Sequence, residues 1–278
     1  MLEIKSVESL SEISELKQQY FSLSTAPLDG MWHFGFAPMS AHFAFYENHI
    51  PVGFCCINGE GYMLQFYLSP RAKCQVTELF TLIAEQNCTV IGRVAGAFVS
   101  TAENDYLSLC LDNSSSFKVN ALMYQQNKLQ NIETREPLEM ILAGQEQLND
   151  FVSFAAKTIG APELWLLEYF GNLIQRKELW GYWCDRKLLA TGECRLFDDY
   201  QTNYADLGMI VAKSERGKGA GTRVLYHLIN QALKQGLIPI CSTESSNLAA
   251  QKIINRAGLS SANRIIQFEF SKGEGRCL

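Results

Sequence analysis

Residues 214–224 read SERGKGAGTRV. Gly217, Gly219 and Gly221 alternate through this stretch, with Arg216 in front. Glycine weakens a helix, so three in five residues mark a place where the backbone must bend or something must come close. Upstream, Tyr204 to Val211 (YADLGMIV) reads as a strand that grows apolar toward its end and feeds straight into the loop. Downstream, Leu225, Leu228, Ile229, Ala232 and Leu233 share one helical face, and Gly236 stops the helix. A strand, a glycine loop and a helix in that order make an anion site. The free N–H groups of the first helical turn point at the ligand, and the helix dipole favours negative charge.

Spacing decides which anion. The Walker pattern GxxxxGK followed by Ser or Thr is absent, and the dinucleotide pattern GxGxxG fails at Thr222 and again at Val224. What remains is Arg216-x-x-Gly219-x-Gly221 after a strand. Further on, Asn247 precedes a helix with Ala250, Ile253, Ile254 and Ala257 on one face, closed by Gly258 and followed by Leu259. Together these features resemble the GNAT superfamily of acyl-CoA-dependent N-acyltransferases over residues 138–270. That family's loop reads Gln/Arg-x-x-Gly-x-Gly/Ala, with the strand ending five residues earlier, as Val211 does here.

The resemblance implies a site. The amides of Arg216, Gly217, Lys218, Gly219, Ala220, Gly221 and Thr222 would cradle the CoA pyrophosphate, with Gly219 and Gly221 lacking a Cβ so that phosphate oxygens reach the main chain. Backbone groups of Met209, Ile210 and Val211 would run beside the pantetheine arm. Asn247 would either face that arm or cap its helix. Acetyl-CoA is the implied co-substrate, and the implied reaction is direct attack by a primary amine, its oxyanion held by a backbone N–H near Met209 to Val211. A non-catalytic acyl-CoA-binding or regulatory protein is the alternative.

Two departures keep that alternative open. Many relatives carry a tyrosine on the last helix as general acid for the CoA thiolate; Ile254 stands there and is in phase with the core. A thiol of pKa near ~8.5 could leave as the anion, or Tyr204 or Ser245 could supply a hydroxyl. The general base is also open. Glu193, on a strand face with Thr191 and Arg195, and Asp206, on the next strand, are the candidate carboxylates.

The first half repeats the second. Residues 42–58 (HFAFYENHIPVGFCCIN) parallel YWCDRKLLATGECRLF, with Gly53 opposite Gly192. A strand at 63–68 and a helix through Leu79, Leu82 and Ile83 follow, then a strand within 88–99, a short helix at 105–111 and a strand at 117–124. Aligned on strand ends, Lys73 falls opposite Arg216, and Val76 and Glu78 opposite Gly219 and Gly221. A valine Cβ and a carboxylate do not suit a pyrophosphate, so this copy is expected to be degenerate, supporting the second copy or walling its cleft. The expected fold class is α/β (α+β): two GNAT-like domains, each a mixed, mostly antiparallel central sheet flanked by helices. The expected domains are 1–126 and 138–278, joined by a polar linker at 127–137.

Composition narrows the partners. A net charge of −5 without a basic run disfavours nucleic acid. Nine cysteines without a CxxC and four histidines argue against a zinc site and a disulfide framework; no metal is expected, and the cysteines read as small apolar residues of a reducing cytoplasm. No apolar run approaches the ~20 residues of a membrane span, and the N-terminus does not read as a signal peptide. A homodimer is compatible with the sequence, which leaves the acceptor amine open.

Overall fold

The computed structural model describes residues 2–126 and 138–270. The expected linker, 127–137, lies outside them. The described chain divides into two compact units, one holding residues up to Leu122 and again from Asn263, the other Met123–Ala262.

The first unit contains β1 (Leu2–Ser6), α1 (Ser14–Leu23), β2 (Ala41–Glu47), β3 (Ile50–Ile57), β4 (Tyr62–Leu68), α2 (Val76–Ala84), β5 (Gly96–Ser100), α3 (Asn104–Asn113) and most of β6 (Ser114–Gln126). The second contains β7 (Ile141–Leu142), α4 (Leu148–Ile159), α5 (Glu163–Gln175), β8 (Leu179–Cys184), β9 (Lys187–Leu196), β10 (Tyr204–Val211), α6 (Ala220–Lys234), β11 (Ile238–Glu244), α7 (Leu248–Arg256) and the start of β12 (Leu259–Phe270). Strand order runs β1-β2-β3-β4-β5-β12-β6 in the first and β7-β8-β9-β10-β11-β6 in the second, β6 contributing to both. Within each order the neighbours through β4 or β10 pair antiparallel. β4–β5 and β10–β11 then pair parallel. The repeat expected from the sequence is therefore a repeat of topology.

Both hairpins that open the repeat turn on two residues with positive φ, Asn48 (50°) and His49 (66°) in one, Asp185 (49°) and Arg186 (62°) in the other. Such a turn matches the twist of its flanking strands. Counted from these turns, Gly53 stands opposite Ala190 and not opposite Gly192. The two glycines answer different neighbours. A Cβ on Gly53 would lie 2.5 Å from the Tyr67 carbonyl oxygen, whereas one on Gly192 would meet Leu228 of α6 at 3.0 Å.

The strand expected within 88–99 is shorter, because Gly92 takes φ 76° and breaks extended pairing ahead of β5. β5 then pairs antiparallel with β12, Ser100 with Ile265 through Gly96 with Glu269. Gly96 permits this pairing, since a Cβ there would sit 1.9 Å from the Phe268 carbonyl oxygen. Ile266, Phe268 and Phe270 thereby join Phe45, Met63, Phe66 and Phe80 in the core of the first unit. In the second unit, Phe151, Leu166, Phe170 and Leu179 form a core from α4, α5 and β8. Leu225, Leu228, Ile229 and Ala232 bury the inner face of α6, as their spacing predicts, and Val224 joins them; Leu233, expected on the same face, is exposed near the end of the helix.

Candidate functional site

The site begins where two strands part. β10 pairs with β11 from Tyr204↔Ile238 to Asp206↔Ile240 and no further among the described residues, although β10 runs to Val211 and β11 to Glu244. On its other edge β10 stays paired with β9 as far as Val211↔Ala190. From Leu207 onward one edge of β10 therefore loses its ladder. Ala205, Asp206 and Leu207 are buried, while Met209, Ile210 and Val211 are only half-buried.

The glycine loop continues from that strand end. Ala212 N–H donates to the Leu189 carbonyl (2.9 Å), and Arg216 Nε donates to the Val211 carbonyl (3.3 Å), tying the loop back to β10. Lys218 Nζ lies 3.3 Å from Glu215 Oε1. Gly217 and Gly219 adopt φ of 77° and 86°, and a Cβ on either would meet nothing within 4 Å. Their requirement is conformational, and the space above them is open. Gly219 precedes α6 without a side-chain cap, and its carbonyl accepts the first helical bond, from Arg223 N–H (3.2 Å). The amides of Ala220, Gly221 and Thr222 thus belong to the first turn, whose donors have no acceptor within the helix.

Gly221 differs from the other two. It is buried, its φ is ordinary, and a Cβ would lie 3.0 Å from Ile253 Cδ1 and 3.8 Å from Val211 Cγ2. Close packing of α7 on α6 leaves little room for a side chain there. Asn247 is a cap: its Oδ1 accepts from Ala250 N–H (3.1 Å) at the start of α7.

Among the hydroxyl candidates, Tyr204 begins β10. At about 3.3 Å per residue it stands roughly 16 Å from Met209, at the far end of the strand. Ser245 is half-buried just beyond β11, with its carbonyl accepting from Gln251 Nε2 (2.8 Å). Ile254 is 3% exposed, a core residue as its phase predicts.

The structure brings both candidate carboxylates to one guanidinium. Glu193 (5% exposed), Arg195 (6%) and Asp206 (2%) are buried side by side, Arg195 opposite Asp206 and Glu193 opposite Gly208 in the β9–β10 register. Arg195 Nε donates to Asp206 Oδ2 (2.9 Å); its other nitrogens bridge to Asp206 and Glu193. Tyr169 of α5 completes the group, donating to Glu193 Oε2 (2.7 Å) and accepting from Arg195 Nη1 (2.8 Å). Its ring stacks on Trp165 at 4.7 Å. Burial pushes the Tyr169 hydroxyl well up from its ordinary value, and the Glu193 charge adds to this. Burial works against the charge of Arg195, but Asp206, Tyr169 and Glu193 hold it firmly protonated. Gly208 makes the room: a Cβ there would lie 2.8 Å from Arg195 Nη1 and 3.0 Å from Glu193 Oε2. The sequence puts Arg195 on the strand face of Glu193 but does not show that it joins both carboxylates. The available signal was an arginine two residues beyond Glu193, on the same strand face.

The first unit keeps the same parting of strands. Among the described residues β4 pairs with β5 only at Tyr62↔Gly96 and Met63↔Ala97, then continues to Leu68. α2 begins at Val76, so counted from the helix start the residues opposite Gly219 and Gly221 are Gln75 and Thr77, one short of the strand-end alignment. The loop amides of Lys73 and Cys74 donate to the carboxylate of Glu47 at 3.0 Å. Among the described residues no cluster of His, Cys, Asp and Glu is placed to hold a metal ion, and no helix is long and apolar enough to cross a membrane.

Comparison with known proteins agrees with this geometry. Residues 9–127 match the acetyltransferase (GNAT) domain model and residues 146–259 the acetyltransferase (GNAT) family model. A solved GNAT-family acetyltransferase from Colwellia psychrerythraea is 62% identical, with a TM-score of 0.90, covering 97% of this chain and all of that one (100%). A tandem GNAT protein from the clavulanic acid biosynthesis pathway shares the fold at 10% identity and a TM-score of 0.64, over 96% of this chain and 98% of its own. A GCN5-related N-acetyltransferase from Sphaerobacter thermophilus does so at 11% identity and 0.63, over 97% and 95%. No curated protein matches the chain. The chain belongs to the GNAT family of acetyltransferases and carries two such domains in tandem.

Proposed function

We propose that the second unit is an acyl-CoA-dependent N-acyltransferase that moves an acetyl group from acetyl-CoA to a primary amine. The observation that carries this reading is the junction of a parting strand pair with an uncapped, glycine-opened helix. The parting leaves the open edge of β10 at Met209 and Val211 available for strand-like hydrogen bonds to the pantetheine amides, while Ile210 N–H is given to Thr191 on the β9 side. The loop from Arg216 to Thr222 offers main-chain donors, with Gly217 and Gly219 open above, and Arg216 and Lys218 bring positive charge to the same end. The residues present suit a thioester with a pyrophosphate tail.

Glu193 is the carboxylate we assign to receive the proton of the attacking ammonium. It stands in register with Gly208, one residue before the half-buried Met209, and accepts a hydrogen bond from the Tyr169 hydroxyl. Asp206, in register with Arg195, is assigned to hold the guanidinium in place. Thr191 Oγ accepts from Ile210 N–H (3.2 Å), which fixes the peptide that follows Met209 beside the expected oxyanion position. Reaction in the cytoplasm belongs to this proposal.

A specific observation favours a second reading, a non-catalytic acyl-CoA-binding protein. Ile254 is core where many relatives have tyrosine, and both candidate carboxylates are engaged by Arg195. Incubation with acetyl-CoA and a pooled set of amines, following free thiol, separates the two. Turnover with at least one acceptor is expected. Tight CoA binding without thiol release above background hydrolysis, for every acceptor, would establish the second reading.

A further inference from the structure

The first unit buries a primary amine. Lys17 of α1 is 8% exposed, and among the described residues it forms no ion pair. Lysine is almost never this buried without an anion beside it. Its Nζ lies instead 5.8 Å from the centre of the Phe54 ring and 3.4 Å from His42 Nε2. His42 Nδ1 lies 3.0 Å from the Ser40 carbonyl oxygen, which can only accept. Nδ1 therefore carries the imidazole proton, and Nε2 is left to accept an N–H of Lys17. An amine held by a base that a third group orients is the arrangement of an activated nucleophile.

Strand register places this amine at a particular row of the sheet. His42 pairs with Cys56, and Cys56 with Gln65. Counted from the hairpin turns, the matching row of the second unit is Leu179, Glu193 and Gly208. Cys56 thus stands where the second unit has its buried carboxylate, and the row offers Lys17 no anion. Burial lowers Lys17 from its ordinary 10.5, which enlarges its share of free amine at neutral pH, and it pushes the Cys56 thiol up to about 11, so that thiol stays neutral. Gln65 is 6% exposed, and its Oε1 is buried without a hydrogen-bond partner, so the row is not polar for the sake of packing alone. A single π-helical turn, Trp32–Phe36, packs on the same row, and Cys56 Sγ donates to the carbonyl of Ala37 that closes it (3.8 Å). Such turns are rare and concentrate at functional sites.

We propose that Lys17 is a nucleophilic lysine that takes an acyl group from a small activated donor, a thioester or an aryl ester. Nζ attacks the acyl carbonyl and an N–C bond forms. The C–S or C–O bond to the leaving group breaks, and that group departs with the bonding pair as a thiolate or a phenolate. The proton shed by nitrogen passes to His42 Nε2. The product is a neutral amide, which leaves no unpaired charge to bury. The inference does not depend on catalysis by the second unit. The test is brief reaction of the full chain with 4-nitrophenyl acetate near neutral pH, followed by peptide mass mapping. Lys17 is expected to be acetylated about tenfold faster, or more, than the exposed Lys73 and Lys118. In concentrated urea the three should react alike, since the advantage belongs to the fold. His42→Phe should remove most of the advantage and leave the rates of Lys73 and Lys118 as they are. A Lys17 that reacts no faster than those two in the folded protein would overturn the proposal. An advantage that persists in urea, or that His42→Phe leaves intact, would overturn it as well.

Discussion

At the residue scale the three loop glycines have two different reasons to exist. Gly217 and Gly219 need left-handed backbone, which costs a residue with a Cβ about 1–2 kcal/mol. Gly221 needs room for Ile253. Gly219→Ala should therefore lower the melting temperature and raise the KM for acetyl-CoA together, and no change at a neighbouring side chain should restore either. Gly221→Ala should behave otherwise. Ile253→Val removes the Cδ1 atom that an alanine at 221 would press against, so the double variant should regain most of the stability lost in the single one. Thermal melts of the four proteins decide this; a double variant no more stable than Gly221→Ala would mean that packing is not what keeps Gly221 small.

The Glu193–Arg195–Asp206 group calls for a second residue-scale prediction. Arg195→Met leaves two carboxylates buried without their cation, so a loss of about 3–5 kcal/mol in unfolding free energy is expected. Glu193→Gln keeps the shape and the Tyr169 hydrogen bond while removing the proton acceptor. It should lower kcat by about 10²- to 10⁴-fold with little change in the KM for acetyl-CoA. A kcat within threefold or so of the parent would make the cluster a structural one and move the base elsewhere. The family and the loop were legible in the sequence because arginine, glycine and strand-end spacings are local. The cluster was not, since it joins residues of β9, β10 and α5 through a strand register that no local pattern fixes.

At the scale of elements, α1, β2 and the turn that leads into α3 enclose two titrating groups that act in opposite directions. Burial, and then the charge of Lys17, lower His42 to about 4; Lys17 Nζ faces its Nε2 at 3.4 Å, and the Ser40 carbonyl lies 3.0 Å from Nδ1. The folded state resists protonating His42, so its contribution is full above the ordinary histidine value of 6.5 and is lost as pH falls toward 4. Burial raises Glu103 to about 7, opposed by its hydrogen bonds from Tyr20 and from Ser100 N–H (2.7 Å). Its folded form retains the proton, so that contribution is full below 4.5 and is lost as pH rises through 7. Between 4.5 and 6.5 the two slopes oppose each other. Glu103→Gln removes one of them, and its melting temperature should rise from pH 5 to pH 6.5 more steeply than that of the parent. Parallel melting curves across that range would show that Glu103 does not titrate as described. Element boundaries were read less well than element types, for a related reason. The helix starts of α2 and α6 differ by one residue in their distance from the strand before them, so a register carried over from strand ends slips at the loop.

At the scale of the whole molecule, the order of the chain and the membership of its units differ. The sequence suggests two domains in succession, which we retain as a proposal for residues 1–126 and 138–278. β12 nevertheless leaves the second unit at Ala262 and delivers Ile265 to Glu269 as a strand beside β5. Nothing in RIIQFEF says which strand it pairs with; an alternating apolar strand suits many neighbours, and the pairing with β5 needs the missing side chain of Gly96, some 170 residues earlier in sequence. The consequence is mechanical. A chain ending at Ala262 would strip β5 of its antiparallel partner and empty the places of Ile266, Phe268 and Phe270 in the core of the first unit. Burying each such side chain is worth about 1.5–3 kcal/mol, so the sum approaches the whole stability of an ordinary domain. The truncated protein should lose amide protection across β4, β5 and α2 in hydrogen exchange while α4, α5 and β8 keep theirs. The fragment 1–126 should fail to fold alone and should recover native exchange when a peptide covering 259–270 is added. Loss of protection confined to α4 and α5, or a fragment that folds without the peptide, would show that β12 is dispensable to the first unit.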